Sequence, residues 1–142
     1  MQLNINALEN KMTSVSSLLH DKNVDILVIQ ETKINPILID SYFDLDGYNL
    51  ICRDRIENQG GGILVYVKKN HVVVEKSINY PIELVTMKLL VDKRKFNFIC
   101  YYRPPHQNNS VFFLNHLEQI LNQSDLSCST FAIGAFLLIW PS

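Results

Sequence analysis

The segment Ile26–Ile29 limits what this chain can fold into more than any other part of the sequence. It contains four consecutive apolar residues, three of them β-branched. This run is too short for a buried helix and is typical of a strand covered on both faces, as in a parallel sheet. The polar residues 30–33 follow it directly, and ligands of open α/β sheets bind outside the carboxyl ends of the strands. The sequence therefore predicts a functional site where this strand ends.

Two side chains just beyond this strand carry suitable chemistry for such a site. Glu31 offers hard carboxylate oxygens, and Lys33 offers a positive charge that suits a phosphate group. The alternative interpretation is structural, because a carboxylate just past a strand is often a solvated loop residue or a cap for the next turn. The residues by themselves leave both interpretations of Glu31 open.

The residues before this strand predict another strand followed by a helix. Apolar and polar residues alternate over residues 2–6, which indicates a short strand with one apolar face. Apolar residues then recur at steps of four, three and four over residues 7–20, as in an amphipathic helix. A strand–helix–strand unit of this kind has parallel strands and a right-handed crossover. We therefore expect Asn4 and Asn6 at the same edge of the sheet as Glu31.

The rest of the chain is a series of short strand patterns with two further helical ones. Strands are predicted over residues 48–53, 63–67, 72–76, 83–91, 95–102 and 131–134, and helices over 36–42 and 110–123. The triplet Gly60–Gly62 is not a Walker phosphate loop, because that loop leads into a helix and residues 63–67 have a strand pattern. We expect these glycines to permit a close backbone approach at the start of that strand.

Composition and charge exclude several classes of protein. With 142 residues and 47% hydrophobic content, the chain can form one globular domain with its own core. A net charge of −1 gives no overall attraction to nucleic acid, so any binding of DNA must depend on local groups. The three cysteines and four histidines show no metal-ligand spacing.

The sequence shows no pattern of a secreted or membrane-spanning protein. Its first residues contain no basic region followed by an apolar one, which would mark a secretory signal. The uncharged run 131–140 has ten residues, whereas a membrane helix needs roughly 20. We therefore expect an intracellular protein, nuclear or cytoplasmic, with no membrane partner.

Five short motifs follow one another in a specific order, and they are Asn4–Leu8, Ile29–Lys33, Gly61–Ile63, Tyr101–Pro105 and Ile133–Phe136. Their order and spacing over nearly the whole chain resemble the endonuclease/exonuclease/phosphatase superfamily. The Tyr-Arg-Pro-Pro sequence and the glycine triplet make the chain most similar to the endonuclease domain of non-long-terminal-repeat retrotransposons. The resemblance implies an α/β sandwich, in which two mixed sheets pack face to face and are flanked by helices.

The resemblance also implies roles for individual residues. Asn4 matches an asparagine that hydrogen-bonds in the active site, and Asn6 matches a position beside the metal. Glu31 matches the carboxylate that holds a divalent cation, normally Mg²⁺, which prefers oxygen ligands. Tyr102 matches the tyrosine whose phenol faces the scissile phosphate.

The partner that the resemblance implies is DNA. Lys33 and Arg103 are the residues that we expect to contact phosphate or DNA, because both are cations within the family motifs. The implied cofactor is Mg²⁺, and we expect its binding in this chain to be weak or absent, since the family site is incomplete.

The incomplete site shows in two departures from the family pattern. The family motif Gly-Asp-Phe-Asn is Gly134–Leu137 in this sequence, with Ala135 in place of the aspartate that orients the attacking water and Leu137 in place of the asparagine that helps bind phosphate. A later Ser-Asp-His segment of the family has no counterpart within these residues. The resemblance therefore predicts one domain over residues 1–142, truncated at its carboxyl end, with an atypical apolar tail at 135–142.

Two functional classes stay open at this point. The first is a Mg²⁺-dependent DNA endonuclease of the retrotransposon type, inactive in this form. The second is a non-catalytic remnant or a nucleic-acid-binding pseudoenzyme. The presence of Asn4, Glu31 and Tyr102 favours enzymatic ancestry, whereas Ala135 and Leu137 favour inactivity. We also expect self-association through a sheet face that the incomplete domain leaves uncovered.

Overall fold

The computed structural model describes residues 1–34, 40–53, 61–103 and 110–136, with the backbone alone at residues 40, 135 and 136. Two four-stranded sheets and two α-helices account for most of this part of the chain. The helix predicted over 36–42 lies mostly outside the described residues, which include a 3-10 turn at Asp40–Tyr42.

Sheet 1 contains the first four strands, which are β1 (Gln2–Asn4), β2 (Ile26–Gln30), β3 (Tyr48–Arg53) and β4 (Ile63–Lys68). Their order in the sheet is β1-β2-β4-β3, with β1 parallel to β2 and the other pairs antiparallel. The parallel pair confirms the predicted strand–helix–strand unit. It places Asn4 directly opposite Gln30.

Sheet 2 contains the next four strands, which are β5 (Val72–Ser77), β6 (Leu84–Val91), β7 (Arg94–Arg103) and β8 (Ser129–Phe136). Their order is β5-β6-β7-β8, and β7 is parallel to β8. Asp92 and Lys93 form the two-residue turn between β6 and β7, and both have the positive φ that tight hairpins need. The strands agree with the sequence predictions to within two residues at each end.

The first helix begins later than the sequence pattern predicts. Helix α1 spans Met12–Asp21 and follows a 3-10 turn at Glu9–Lys11, whereas a helix over residues 7–20 is predicted. The amides of Ala7 and Leu8 donate to the carbonyls of residues 31 and 32, at 3.0 and 2.9 Å. These long-range bonds hold the segment against the end of β2, so it cannot join the helix. Helix α2 spans Ser110–Gln123, as predicted.

The two sheets pack face to face, and each carries one helix on its outer face. The core between the sheets contains Val28, Ile51, Ile63, Val65 and Val67 from sheet 1, and Val85, Met87, Leu89, Cys100 and Tyr102 from sheet 2. Helix α1 covers the outer face of sheet 1 with Val15 and Leu19, and α2 covers that of sheet 2 with Phe113 and Leu117. This arrangement confirms the predicted α/β sandwich of two mixed sheets.

Strand β2 is covered on both faces, as the apolar run predicts. Leu27 and Ile29 pack with the helix α1, while Val28 lies in the core between the sheets. All three side chains are fully buried. Complete burial of an aliphatic side chain contributes about 1.5–3 kcal/mol to the free energy of unfolding. Strand β2 is therefore held firmly in place, and the residues directly after it start from a fixed position.

One close contact within sheet 2 needs a glycine. Gly134 of β8 lies beside Tyr101 of β7, and a Cβ on Gly134 would lie 2.0 Å from the tyrosine ring. No side chain fits at that distance. Gly134 therefore allows the ring of Tyr101 to lie across β8, where it also contacts Phe113 of α2 with ring centroids 6.0 Å apart.

The two ends of the sandwich contain different parts of the strands. At the site end, β1, β2 and β7 finish at Asn4, Gln30 and Arg103. At the turn end, β2 begins at Ile26 and β6 joins β7 through residues 92 and 93. The turn end is closed by a hydrogen bond, in which Asp25 Oδ1 lies 2.9 Å from Nε2 of the buried His71.

Candidate functional site

A direct hydrogen bond joins the two main residues of the predicted site. The hydroxyl of Tyr102 donates to Oε1 of Glu31. Tyr102 belongs to sheet 2 and is buried between the sheets, while Glu31 follows the last residue of β2 in sheet 1. The site end therefore brings together a phenol and a carboxylate that are 71 residues apart in the sequence.

A second polar pair lies next to the first. Lys33 donates from Nζ to Oδ1 of Asn6, and both side chains are exposed. Asn4 is also exposed and lies opposite Gln30 in the register of β1 and β2. The structure thus places Asn4, Asn6 and Lys33 at the edge where Glu31 emerges, as the strand–helix–strand unit predicts. Their roles in binding or catalysis stay predictions.

The backbone around these side chains is held in an uncommon conformation. Glu31 and Lys33 have φ values of +55° and +46°, and Asn6 and Ala7 have +45° and +79°. Left-handed φ values are uncommon for residues other than glycine and cost of order 1–3 kcal/mol each. Hydrogen bonds from Ala7 N to Glu31 O, at 3.0 Å, and from Lys33 N to the carbonyl of Gly61, at 2.9 Å, stabilise them.

Gly62 provides the close backbone approach that the glycine triplet predicts. Its φ is +92°, and a Cβ on it would lie 2.3 Å from Oγ1 of Thr32. The amide of Gly62 also donates to Oε2 of Glu83, at 3.4 Å, across to sheet 2. The carbonyl of Glu83 in turn accepts from the amide of Tyr102, at 3.0 Å. Glu83 therefore links the loop beside Glu31 to the strand that carries Tyr102.

Lys11 is a cation at this edge that the sequence analysis missed. Its Nζ donates to the carbonyl of Ile5 and to that of Asn6, at 3.3 Å for the latter. Asn6 thus contacts two ammonium groups, those of Lys11 and Lys33. The sequence signal was a lysine just before a helix, where the helix dipole disfavours a positive charge. A lysine at such a position suggests that its ammonium group has another partner.

Arg103 is not brought to Glu31 in the same way. Side chains alternate along a strand, so Arg103 lies on the face of sheet 2 that carries Tyr101 and not on the face that carries Tyr102. Tyr101 packs with the α2 side of the sheet. The Nε atom of Arg103 is buried and has no hydrogen-bond partner among the described residues. The predicted contact of Arg103 with phosphate or DNA gains no support from this placement.

Arg53 is a second arginine at the site end, and it joins the two sheets. Its guanidinium donates to the carbonyl of Ile78 and to that of Tyr80, at 2.7 Å for the latter. Burial lowers the pKa of Arg53, and the negative charge of Glu83 opposes that shift. Its two bonded carbonyls make Arg53 a link between β3 and the segment before β6.

The position of the degenerate motif can be read from the pairing of β7 with β8. Ala135 lies opposite Tyr102 in this parallel register. Leu137 lies outside the described residues. The alanine that replaces the family aspartate therefore neighbours the strand position of the tyrosine that contacts Glu31.

The described residues fit a cation site with a single carboxylate. They contain no group of three or more His, Cys, Asp or Glu side chains that could hold a metal. Proteins often hold Mg²⁺ through only one or two carboxylates, with water and phosphate oxygens as the other ligands. Glu31 suits that weaker kind of site.

Within the ranges that the structure covers, no helix is long and apolar enough to cross a membrane. A search of curated proteins gave no match to this sequence.

Solved structures with the same fold include several enzymes. An AP endonuclease from Archaeoglobus fulgidus has a TM-score of 0.71 at 19% identity, and the match covers 94% of this chain and 55% of that one. TDP2 from D. rerio, in complex with a single-strand DNA product, has a TM-score of 0.66 at 13% identity, and the match covers 94% of this chain and 58% of that one. The 3′ phosphatase NExo from Neisseria, bound to a product DNA hairpin, has a TM-score of 0.62 at 14% identity, and the match covers 95% of this chain and 56% of that one.

These likenesses show the fold, and this chain spans between 55% and 58% of the length of the three proteins. The sequence itself matches the Endonuclease/Exonuclease/phosphatase family over residues 1–133. That match includes Asn4, Glu31 and Tyr102, the residues that the motif order singles out. The chain therefore belongs to the endonuclease/exonuclease/phosphatase family.

Proposed function

We propose that this chain is the cation- and phosphate-binding part of a DNA endonuclease of the retrotransposon type, and that these 142 residues bind DNA without cutting it. The hydrogen bond between Tyr102 and Glu31 is the observation that carries the proposal. It joins a hard oxygen ligand to a phenol at the edge where the two sheets meet. The three similar structures named above include two that hold a DNA product.

Glu31 is the proposed ligand for Mg²⁺. Its carboxylate emerges from a fully buried strand, and Tyr102 holds one of its oxygens in place. When bound, the ion would supply positive charge to offset that of a phosphate group. Tyr102 is proposed to orient the carboxylate through this hydrogen bond. Asn4 and Asn6 are proposed to hydrogen-bond at the same edge.

Lys33 and Lys11 are the proposed phosphate contacts. Their ammonium groups are held by neutral oxygens of Ile5 and Asn6, so these contacts leave their positive charges uncompensated. An ammonium group has three donors, and the bonds described here use one of them on Lys33. Two cations fixed around Asn6 provide the local attraction that a chain with a net charge of −1 needs for DNA.

Ala135 and Leu137 are the reason to propose binding without cleavage. Hydrolysis of a phosphodiester needs a group that accepts a proton from the attacking water and donors that stabilise the developing charge. The methyl group of Ala135 and the isobutyl group of Leu137 offer neither. Loss of one such preorganised group reduces a rate by about 10² to 10³ at comparable sites. We therefore propose that these residues act as a nucleic-acid-binding pseudoenzyme, which keeps the binding groups of an ancestral endonuclease without its catalysis.

Plasmid nicking tests the absence of catalysis. We expect the wild-type chain with Mg²⁺ to convert no more supercoiled plasmid than the Glu31→Ala variant does. Robust nicking that Glu31→Ala abolishes would overturn the proposal and show that the chain is an active endonuclease.

Salt-dependent binding to a short duplex tests the two lysines. Lys11→Met and Lys33→Met should each weaken binding and lower the slope of log affinity against log salt by about one. Lys93→Met is the matched control, because Lys93 is an exposed lysine at the turn end. An equal loss in Lys93→Met would show that the chain binds DNA through scattered charges and has no phosphate site at Asn6.

Self-association is a separate proposal about partners. Val111 and Leu114 of α2 are 64% and 50% exposed, and their spacing of three residues places them on one face of the helix. Exposed apolar side chains on one face favour association. We propose that Val111→Lys with Leu114→Lys shifts the chain toward monomer in sedimentation velocity. Identical sedimentation of the variant and the wild type over a wide concentration range would contradict this.

A further inference from the structure

We propose that Gln30 is the positioning residue that sets Glu31 against Tyr102. The inference rests on the proposed function of that pair. Gln30 is the last residue of β2, and its side chain is fully buried. It lies at the point where the sheets carrying the two residues come together.

Both ends of the Gln30 amide are used. Its Nε2 donates to the carbonyl of Tyr101 in sheet 2, at 2.6 Å, and its Oε1 accepts from Nε2 of Gln2 in β1, at 2.8 Å. Burial of an amide without hydrogen-bond partners costs free energy, whereas burial of an aliphatic side chain between two apolar sheets is favourable. A glutamine at this place is therefore a specific contact, not simple filling of the core.

The sequence positions of the partners explain what this contact does. Gln30 hydrogen-bonds to Tyr101. The next residue along the chain from each of them, Glu31 and Tyr102, forms the pair at the site. Aliphatic packing between sheets has no direction, so it permits small sliding of one sheet on the other. A hydrogen bond has a narrow range of length and angle. The Gln30 bond therefore fixes the offset between β2 and β7 one residue before the site.

A second link on the other side completes the frame. Glu83 accepts from the amide of Tyr102 with its carbonyl and from the amide of Gly62 with its carboxylate. Gly61 in turn accepts from the amide of Lys33. Tyr102 is thus tied to sheet 1 through Gln30 at the preceding residue and through Glu83 at its own backbone. Loss of Gln30 removes the shorter of these two links, and the 3.4 Å bond from Gly62 to Glu83 is the longer one.

The direct test follows the environment of Tyr102 by ¹⁹F NMR of the full chain labelled with 3-fluorotyrosine. Tyr102→Phe assigns one of the six tyrosine signals, and Glu31→Gln gives its position without the carboxylate charge. We expect Gln30→Met, which keeps the length of the side chain, to move the Tyr102 signal toward its position in Glu31→Gln. A folded Gln30→Met chain with the Tyr102 signal unmoved overturns the proposal.

Asn97→Leu is the matched control for general loss of stability. Asn97 is another buried amide, bonded to Asp125 O at 3.2 Å and to Thr130 Oγ1 at 3.3 Å, in the middle of β7 and away from the site. We expect it to leave the Tyr102 signal in place. Movement of that signal to the same extent in Asn97→Leu would also overturn the proposal, because any loosened core would then have the effect.

Gln2→Met decides the matter if Gln30→Met does not fold. Gln2 is exposed, so its replacement leaves the core intact, but it removes the donor that holds Oε1 of Gln30. We expect the Tyr102 signal to move toward its position in Glu31→Gln, by a smaller amount than in Gln30→Met. An unmoved Tyr102 signal in Gln2→Met would contradict a positioning role for the Gln30 amide.

Terbium binding separates this inference from the proposed function. Tb³⁺ is a hard cation whose luminescence is sensitised by a nearby tyrosine, here Tyr102. Residues that orient a metal ligand typically change metal affinity by about 10- to 100-fold, and we expect a loss in that range for Gln30→Met. A wild-type chain that shows no sensitised Tb³⁺ would remove the proposed cation site, whereas the ¹⁹F result would still decide the role of Gln30.

Discussion

The site end and the turn end of the sandwich both contain left-handed residues other than glycine, but in different surroundings. At the turn end, Asp92 and Lys93 have positive φ because a two-residue hairpin requires it. At the site end, Glu31 and Lys33 have positive φ where no hairpin exists. The comparison teaches that the same backbone conformation is ordinary turn chemistry at one end and a held, costly arrangement of charged side chains at the other.

The polar contacts of the two ends hold different groups. At the turn end, Asp25 precedes β2 of sheet 1 and His71 precedes β5 of sheet 2, and their side chains hydrogen-bond at 2.9 Å. At the site end, the bonds between the sheets run from Gln30 to Tyr101 and from Tyr102 to Glu31. Contacts between the sheets thus hold both ends, and those at the site end hold the two residues to which we assign the proposed function.

The largest difference is expected between two glycines, one at each end. Gly62→Ala should lower the free energy of unfolding by about 2–4 kcal/mol, because left-handed strain adds to overpacking. The new methyl group would meet Thr32 Oγ1 at 2.3 Å. Gly47→Ala at the turn end should cost only the strain of about 1–2 kcal/mol, since φ is +83° but no atom lies within 4 Å.

Urea unfolding of both alanine variants measures this difference. The m-values should equal that of the wild type, which shows that the folded states are comparable in compactness. An equal loss in both variants would mean that the loop beside Thr32 relaxes without cost and that the site end is no more tightly constrained than the turn end.

A smaller difference is expected between two carboxylates. Asp25→Asn should lower the free energy of unfolding by about 1 kcal/mol, because it weakens a hydrogen bond to a buried histidine. Glu31→Gln should change it by less than about 0.5 kcal/mol or raise it, since functional groups are rarely optimised for stability. Thermal melts at one pH check both variants. A larger loss in Glu31→Gln than in Asp25→Asn would show that Glu31 serves mainly the fold.

The smallest effect at neutral pH concerns the core between the two ends. Burial raises the pKa of the Cys100 thiol to about 12, from 9.0. This thiol therefore leaves stability unchanged below pH 9.0, and stability falls as the pH rises from 9.0 toward 12, because the unfolded chain releases the proton first. At neutral pH, a thiol reagent should modify the partly exposed Cys52 and Cys128 before Cys100.

Two variants provide the comparison for this experiment. The double change Cys52→Ser with Cys128→Ser should remove the fast phase of modification, and Cys100→Ser should leave it intact. Fast modification of Cys100 in the folded chain would indicate that the two sheets separate readily, which contradicts a sandwich held at both ends.

Local patterns were enough to predict most of the fold. The apolar run of β2 and the spacing in Ser110–Gln123 depend on neighbouring residues, so the sequence carries them directly. The start of α1 was wrong, because Ala7 and Leu8 bond to residues after β2. No periodicity reports a contact of that kind.

The site was predictable to a more limited extent. Motif order brought out Glu31 and Tyr102, and the structure places them in contact. The face of Arg103 could have been read from its neighbour, since adjacent strand residues point to opposite sides. The links through Gln30 and Glu83 depend on how the two sheets are offset, which no pattern within one strand encodes.

Gly134 and Ala135 separate two demands that one short motif normally meets together. The ring of Tyr101 excludes any side chain at residue 134, so a mutation there would be removed because the protein fails to fold. Residue 135 is where the family resemblance expects an aspartate, and the alanine present there leaves the strand paired with β7. A lineage released from selection for cutting DNA would therefore erode at residue 135 while residue 134 persisted. Architecture outlives activity in such a chain, and a family match then records descent more faithfully than it records present-day catalysis.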